Sequence, residues 1–406
     1  MSTRFARVSA SVRRALESSI ARRRESRCLA SAVRGLDVEN ELIVDVERAN
    51  ERERARRAML KDATTRSRMR EMMVFDRDVV RAHRDRAAFL QGEAVKSAPG
   101  RVPDVLLDEL ARRLLDRLRD IKRRFKRVII LGGASEAIMR RLLGERDDVE
   151  KIVVVDLSRD MLDFVARAVG DNPRRRDGTE VDVVYVQGDE ENLPIRDGSV
   201  DAVISCLGLH WVNDLPGAMT SAAQALVPDG LFLSCIFGGN TLQELRAACA
   251  LAETKYEGGV SARVSPLAHV RDCGSLLGRA ELTLPAVDVD IVNVCYASPH
   301  ELVEHLRAMG ETNANIMRRS FLPRTTAAAT SALYSEKFPA PPSDSSRTSD
   351  SASDARSASP PNPIEATYEI MYMTGWRPHA SQQLPKARGS ATVSLKDLQD
   401  ALEPSP

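Results

Sequence analysis

The residues best suited to chemistry in this sequence each follow a short apolar run. Gly132–Gly133 follows the first run, Asp156 ends the second, and Asp189–Glu190 follows the third. A glycine pair lets the backbone approach a ligand closely, and a carboxylate about 20 residues later accepts hydrogen bonds from both hydroxyls of a ribose. We therefore predict that Asp156 and Asp189 hold opposite ends of one adenosine. The alternative is that these acids only cap the helices that follow them.

The apolar runs predict the elements that position these residues. Strands are predicted at 128–131, 151–156, 181–186, 201–208 and 230–237, with helices at 161–168 and 215–226 between them. Alternation of this kind is typical of a doubly wound α/β domain with a mostly parallel, Rossmann-like sheet. In such sheets ligands bind outside the carboxyl ends of the strands. Ala134, Leu157 and Leu207 adjoin those ends and complete the predicted cofactor-binding set.

A helix is predicted before the first strand. Apolar residues recur there at helical spacing, namely Leu107, Leu110, Leu114, Leu118, Ile121 and Phe125. This pattern predicts one amphipathic helix that leads into the strand.

Composition excludes several classes of protein. The chain has 406 residues and a net charge of +1, so no overall field attracts nucleic acid. Its six cysteines are scattered, which predicts buried free thiols and supports neither a zinc site nor a disulfide framework. No apolar run reaches the roughly 18 residues that span a bilayer, so only peripheral membrane contact is expected.

The first 40 residues are rich in arginine, serine and alanine and contain few acids. As a helix, residues 5–20 would oppose an apolar face to an arginine face, which is typical of a mitochondrial transit peptide. A disordered basic arm and an RNA-binding arm are the alternatives. Residues 41–102 are predicted as a helical extension, with a charge-laced helix over 41–70.

Several longer segments resemble a known family. Residues 188–266, which include "LHWVNDLP", and the segments 75–88, 272–280, 306–314 and 368–395, which include "KARGSATVS", carry the resemblance. They resemble class I S-adenosylmethionine-dependent methyltransferase-like proteins related to the biotin-pathway malonyl-carrier methyltransferase. The similarity is greatest to the methyltransferase-like assembly factors of mitochondrial complex I, and it covers most of 73–395.

The resemblance implies a seven-stranded sheet in which a final antiparallel strand lies beside the sixth. Residues 287–296 and 367–376 are predicted as the last two strands, with a helix at 299–309 between them. The core then covers 103–338 and 365–396. The Ser- and Pro-rich tract 339–364 that separates them is predicted to be a disordered loop.

The resemblance also implies S-adenosylmethionine as the cofactor. Relatives carry a G-x-G-x-G turn, whereas this chain reads Gly132-Gly133-Ala134-Ser135-Glu136. If the turn needs positive φ at Ala134 or Glu136, those side chains weaken binding. Alternatively, Glu136 contacts the cofactor or a substrate guanidinium, or the fold has lost the cofactor.

In methyltransferases the loop after the fourth strand lies beside the methyl group. Its candidates for contact with substrate are His210, Trp211, Asn213 and Asp214. His210 would act as a base or a metal ligand, but His210 and Trp211 are also explained as a packed structural pair. No Ser/His/Asp or metal-ligand constellation is visible, and no metal is predicted.

Three functions remain open. The family implies hydroxylation of an arginine in a complex I subunit, on the matrix side of the mitochondrial inner membrane, together with other assembly factors. No 2-His-1-carboxylate spacing of an oxygen-activating metal stands out. The alternatives are a non-catalytic assembly chaperone and a carrier-protein or small-molecule methyltransferase.

Overall fold

The computed structural model describes residues 33–34, 43–45, 51, 73–98, 100–170, 172–319, 321–341, 363–383 and 389–390. Most of the predicted transit peptide, most of the charged helix and nearly all of the Ser- and Pro-rich tract lie outside these residues. The final segment, including most of the "KARGSATVS" motif, lies outside them as well.

Eight strands of the described part of the chain form one sheet. They are β1 (Val33–Arg34), β2 (Arg127–Leu131), β3 (Lys151–Asp156), β4 (Asp182–Gln187), β5 (Val200–Cys206), β6 (Leu226–Phe237), β7 (Thr283–Tyr296) and β8 (Ile364–Trp376). Their order is β1-β4-β3-β2-β5-β6-β8-β7. Strand β8 lies antiparallel between β6 and β7, and β2 to β6 pair in parallel. The predicted sheet of six parallel strands and one antiparallel strand is confirmed, and the two-residue β1 adds an antiparallel edge beside β4.

The helices surround this sheet. They are α1 (Arg77–Ser97), α2 (Val105–Asp116), α3 (Ser135–Glu145), α4 (Arg159–Val169), α5 (Leu215–Ala225), α6 (Gln243–Glu257), α7 (Val270–Arg279), α8 (Pro299–Met309) and α9 (Arg324–Lys337). Their starts follow local chemistry, because the side chains of Asp76, Asp104 and Ser158 accept N-cap hydrogen bonds at α1, α2 and α4. Helix α8 has the predicted bounds, with Pro299 in its first turn and Gly310 left-handed after its end.

The core has two layers, one on each face of the sheet. Alternate residues of a strand point to opposite faces. In β3, Ile152 and Val154 therefore pack into one layer, and Val153 and Val155 into the other. All six residues of β3 are buried, as expected for a central parallel strand.

The helix predicted over residues 107–125 is shorter than expected. Helix α2 ends at Asp116, and the N–H groups of Leu118 and Ile121 then bond to carbonyls three residues back. The prediction was wrong beyond Asp116 because the chain must turn here to enter β2. Leu118 and Phe125 are nevertheless buried, so their spacing indicated burial correctly but not a continuous helix.

Residues 43–45 also differ from the prediction, since they lie in the segment predicted as a charged helix. Val44 forms an antiparallel bridge with Ile195, and the N–H of Asp45 donates to the carbonyl of Pro194. Ile43 and Val44 are buried. The helix prediction was wrong for these three residues because their apolar pair packs against the sheet.

The cysteines agree largely with the prediction of buried free thiols. Cys206, Cys235, Cys249 and Cys273 are free and buried, whereas Cys295 is free and exposed. Among the described residues, no helix has the length and apolar character needed to cross a membrane.

Candidate functional site

The turn after β2 depends on its two glycines. Gly132 and Gly133 have φ of 51° and 58°, in the left-handed region. A Cβ on Gly133 would lie 1.7 Å from the carbonyl oxygen of Cys206, and one on Gly132 would lie 2.8 Å from Oε1 of Glu190. A side chain at Gly133 would collide with backbone, and one at Gly132 would displace the Glu190 carboxylate and strain the left-handed backbone, so glycine is favoured at both positions.

The rest of the turn does not use the left-handed region. Ala134 has φ of −82° and Glu136 lies in the first turn of α3, so neither needs the left-handed region. Burial raises the pKa of Glu136, and Nε of Arg140 donates to its carboxylate at 3.0 Å. The conformational penalty considered for Ala134 and Glu136 is therefore absent, and Glu136 has a partner within its own helix.

Asp156, at the end of β3, is completely buried and bound by an arginine from α1. Nε of Arg84 lies 3.0 Å from both carboxylate oxygens, and Nη2 also contacts Oδ2. The same Nη2 donates to the carbonyl of Gly133 at 2.9 Å. The N–H of Ser158 donates to Oδ1 at 2.8 Å. Both carboxylate oxygens of Asp156 thus have donors from the protein itself.

The acidic segment after β4 holds a second arginine of α1. Nη2 of Arg77 donates to Asp189 at 2.7 Å and contacts Glu190, while Nη1 donates to the carbonyl of Trp211 at 2.9 Å. Burial lowers the pKa of Arg77, but the negative charges of Glu190, Asp189 and Glu191 outweigh it and raise that pKa. Burial raises the pKa of Glu190 against the opposing charge of Arg77.

These arginines were not among the predicted site residues. They are seven positions apart, which is close to two turns, so both lie on the face of α1 that carries the buried Val80 and Gln91. That spacing was the available signal. It was missed because arginine in a charged segment usually faces solvent.

The loop after β5 forms a second cluster. His210 and Trp211 lie in a short 3-10 helix, and Glu311 accepts from both: 2.8 Å from Nε2 of His210 and 2.9 Å from Nε1 of Trp211. All three residues are buried. The ring of His210 also packs on Phe237 at 5.2 Å between centroids. This supports the packed-pair interpretation, yet Nδ1 of His210 is buried with no partner among the described residues.

The other predicted residues of this loop have structural contacts. Oδ1 of Asn213 accepts from the N–H groups of Val74 and Phe75 at 2.8 Å each, which fixes the chain just before α1. Asp214 caps α5 by accepting from the N–H of Gly217. A role toward substrate for His210, Trp211, Asn213 or Asp214 remains a prediction.

The two predicted leucines lie on either side of the glycine turn. Leu157 packs against the small cluster that contains Phe75 and Trp211. Leu207 is fully buried and has φ of 60°, which a branched side chain rarely adopts. Such strain often occurs at functional sites. A cofactor-binding role for Leu157 and Leu207 remains a prediction.

Asp156, Asp189 and the glycine turn have the chemistry of a nucleoside site, but Arg84 and Arg77 of α1 bind both carboxylates. Asp156 and Asp189 can accept from ribose and adenine, and the glycine turn admits close approach. A separate cavity beside the turn, lined in part by Gly133, Ala134 and Gln91, measures about 10 Å³, room for about one water. Neither Asp156 nor Asp189 lines it. In the described ranges, no three His, Cys, Asp or Glu side chains are grouped to hold a metal.

Comparison with known proteins identifies the family. Residues 130–234 match the family described as "Methyltransferase domain". Over 329 residues the chain is 38% identical to "Arginine-hydroxylase NDUFAF5, mitochondrial" of Homo sapiens, covering 81% of this chain and 84% of that protein. The chain belongs to this family of methyltransferase-like arginine hydroxylases. The Danio rerio member is 35% identical, over 80% of this chain and 90% of that protein.

Carrier methyltransferases are more distant relatives of this arginine hydroxylase family. "Malonyl-[acyl-carrier protein] O-methyltransferase" of Xylella fastidiosa is 31% identical over 275 residues, covering 68% of this chain and 82% of that protein. The resemblance described from the sequence is confirmed at both levels.

Proposed function

We propose that this protein hydroxylates an arginine of a complex I subunit during assembly of that complex in mitochondria. The single observation that carries the proposal is the convergence at one sheet edge of the glycine turn, Asp156 and Asp189 beside the buried cluster of His210, Trp211 and Glu311. Membership in the arginine hydroxylase family supplies the substrate class.

S-adenosylmethionine is the proposed occupant of the first part of this edge. Asp156 would accept the ribose hydroxyls, Asp189 the adenine amine, and Gly132–Gly133 would allow close approach of the backbone. When bound, the group supplies a cationic sulfonium and a transferable methyl. Neither is an oxidant, so hydroxylation of an arginine C–H bond to C–OH further requires dioxygen and a two-electron reductant, with water as the second product. The carboxylate of Glu136 accepts a hydrogen bond from Arg140, so Glu136 is not assigned to the cofactor.

Expression of this protein in cells that lack the corresponding relative tests the proposed activity. Human cells that lack their own family member would express this protein, and mass spectrometry would score addition of one oxygen atom to arginines of complex I subunits. Native gels would score assembled complex I. We expect both to be restored. If neither returns while the protein reaches mitochondria, the proposal is wrong.

A matched pair of variants tests whether the activity depends on the carboxyl edge of the sheet. Asp189→Asn removes a charge at the carboxyl end of β4, and Asp182→Asn removes one at the opposite end, where Asp182 pairs with Lys151. We expect Asp189→Asn to lose arginine hydroxylation and Asp182→Asn to keep it.

A non-catalytic assembly chaperone is the second candidate. The observation that favours it is the pairing of Arg84 with Asp156, which fills the position of the ribose. In the rescue experiment it predicts assembled complex I without arginine hydroxylation.

We infer a location on the matrix side of the inner membrane, with other assembly factors and a complex I subunit as partners. Relatives named mitochondrial support the organelle. Fusion of residues 1–40 to a fluorescent reporter tests the targeting segment, and a diffuse cytosolic signal would contradict it.

A further inference from the structure

Helix α1 covers the carboxyl edge of the sheet and binds the carboxylates assigned to adenosine. Arg84 and Asp156 expose 6% and 0% of their side chains, so this ion pair is sealed from solvent. Arg77 exposes 10% and binds Asp189 and Glu190. The two arginines therefore occupy both ends of the proposed adenosine site at once.

We propose that α1 is a latch on the cofactor cleft, which must withdraw from Asp156 and Asp189 before a nucleoside cofactor binds. This rests on the cofactor site in the proposed function. A guanidinium and a ribose diol both donate hydrogen bonds, so they compete for the same two oxygens of Asp156. Nη2 of Arg84 also holds the carbonyl of Gly133, in the turn that the cofactor would approach.

The contacts that dock α1 suit a helix that detaches. Its buried apolar side chains are small, namely Val80, Ala87 and Ala88. Two further attachments are single hydrogen bonds, from Gln91 to the carbonyl of Ala308 at the end of α8 and from Arg86 to Thr312 in the loop that follows. Elements with few large apolar contacts open at low free energy.

Residues 308–314, the last two residues of α8 and the loop after it, connect α1 to the second cluster. Residues 308–314 accept hydrogen bonds from α1 or the residue before it at Ala308, Thr312 and Ala314. The same loop supplies Glu311, which binds His210 and Trp211. A substrate that shifts Glu311 would therefore disturb the docking of α1, linking substrate binding to release of the latch.

The latch lowers the apparent affinity for cofactor by the fraction of molecules in which α1 is open. Removing one charge-assisted pair should raise that affinity by about tenfold or more. Calorimetric titration with S-adenosylhomocysteine would compare the wild type with Arg84→Gln and Arg77→Gln. Arg81→Gln is the matched control, because Arg81 lies on the same helix, is exposed and, among the described residues, pairs with the exposed Asp78.

Hydrogen exchange on the wild type gives a readout that needs no variant. Amides of α1 should exchange faster with saturating S-adenosylhomocysteine than without it. Circular dichroism would verify that each variant is folded, and Arg77→Gln serves if Arg84→Gln does not fold.

Tighter binding by the two variants but not by Arg81→Gln, with faster exchange in α1, supports the latch. If wild type binds and the variants bind equally or more weakly, the latch is wrong and the cofactor site stands. If no folded form binds S-adenosylhomocysteine, both the latch and the cofactor site are wrong.

Discussion

The cleft has two halves that neutralise buried polar groups in different ways. In the half proposed for adenosine (the adenosine half), formed by Asp156 and Asp189–Glu191, carboxylates receive guanidinium groups from another element of the chain. In the half proposed for substrate (the substrate half), formed by His210, Trp211 and Glu311, one carboxylate receives two ring N–H groups, and one ring nitrogen has no partner among the described residues. The carboxylates of the adenosine half are neutralised by arginine, whereas the substrate half contains a buried nitrogen, Nδ1 of His210, without a hydrogen-bond partner among the described residues.

This difference matters because a buried charge pair costs most when one partner is removed. Charges in the adenosine half depend on α1 staying docked. The substrate half holds its geometry with a carboxylate from the 308–314 loop. The predictions below test whether the halves respond as differently as their partners imply.

The largest effect is expected for Asp156→Ala. It leaves the buried guanidinium of Arg84 without its carboxylate, so unfolding free energy should fall by about 3–5 kcal/mol in urea titrations. The double variant Asp156→Ala with Arg84→Ala should recover part of that loss. Asp78→Ala, which removes an exposed carboxylate on α1, should change it by about 0.5 kcal/mol or less. Additive single effects would show that Arg84 and Asp156 are not coupled.

Glu311→Ala should cause the next largest loss in the free energy of unfolding. It strips two buried donors, Nε2 of His210 and Nε1 of Trp211, of their acceptor, at a cost of about 2–4 kcal/mol. Glu311→Gln retains an acceptor and should cost less. The control is Glu304→Ala on α8, where a half-exposed carboxylate pairs with Arg307. Equal losses for Glu304→Ala and Glu311→Ala would count against the cluster.

Lowering the pH should reduce the free energy of unfolding through His83, which lies in α1 beside the adenosine half. Burial and the charge of Arg86 lower the pKa of His83 to about 4, against an unfolded value of 6.5. As pH falls from 6.5 towards 4, His83 is protonated in the unfolded chain but stays neutral in the folded protein. The free energy of unfolding therefore falls. The share due to His83 should reach about 2 kcal/mol by pH 4.5.

Urea titrations at pH 7.5 and 4.5 measure this share as the difference between wild type and His83→Gln. The variant should lose less stability on acidification. His300→Gln, at an exposed position, is the control. The prediction is wrong if His83→Gln and wild type lose equal stability.

The smallest effects are expected between the halves, at the altered glycine turn. Ala134 and Glu136 already have unstrained φ, so Ala134→Gly with Glu136→Gly should not tighten S-adenosylhomocysteine binding. Glu136→Gly should lower stability by about 1 kcal/mol because it places glycine in α3. Ala134→Gly should be nearly neutral, since glycine is accepted at an N-cap. Tighter binding by the double variant would mean that these side chains obstruct the ligand.

The positions of β2 to β8 along the chain, and of α4, α5 and α8, were predictable, because apolar runs and their spacing carry that information. The antiparallel last strand was implied by the family resemblance. The glycine pair was predictable because positive φ favours glycine. The end of α2 was not, because Leu118 and Phe125 are buried with or without a helix.

The sequence by itself determined which residues end β2, β3 and β4, and therefore that Asp156 and Asp189 lie beside the glycine turn. Only the tertiary structure decided what those carboxylates bind. Arg84 is 72 positions from Asp156, and Trp211 is 100 positions from Glu311. Local propensity cannot specify such pairs, because they form only when α1 and the 308–314 loop pack over the finished sheet.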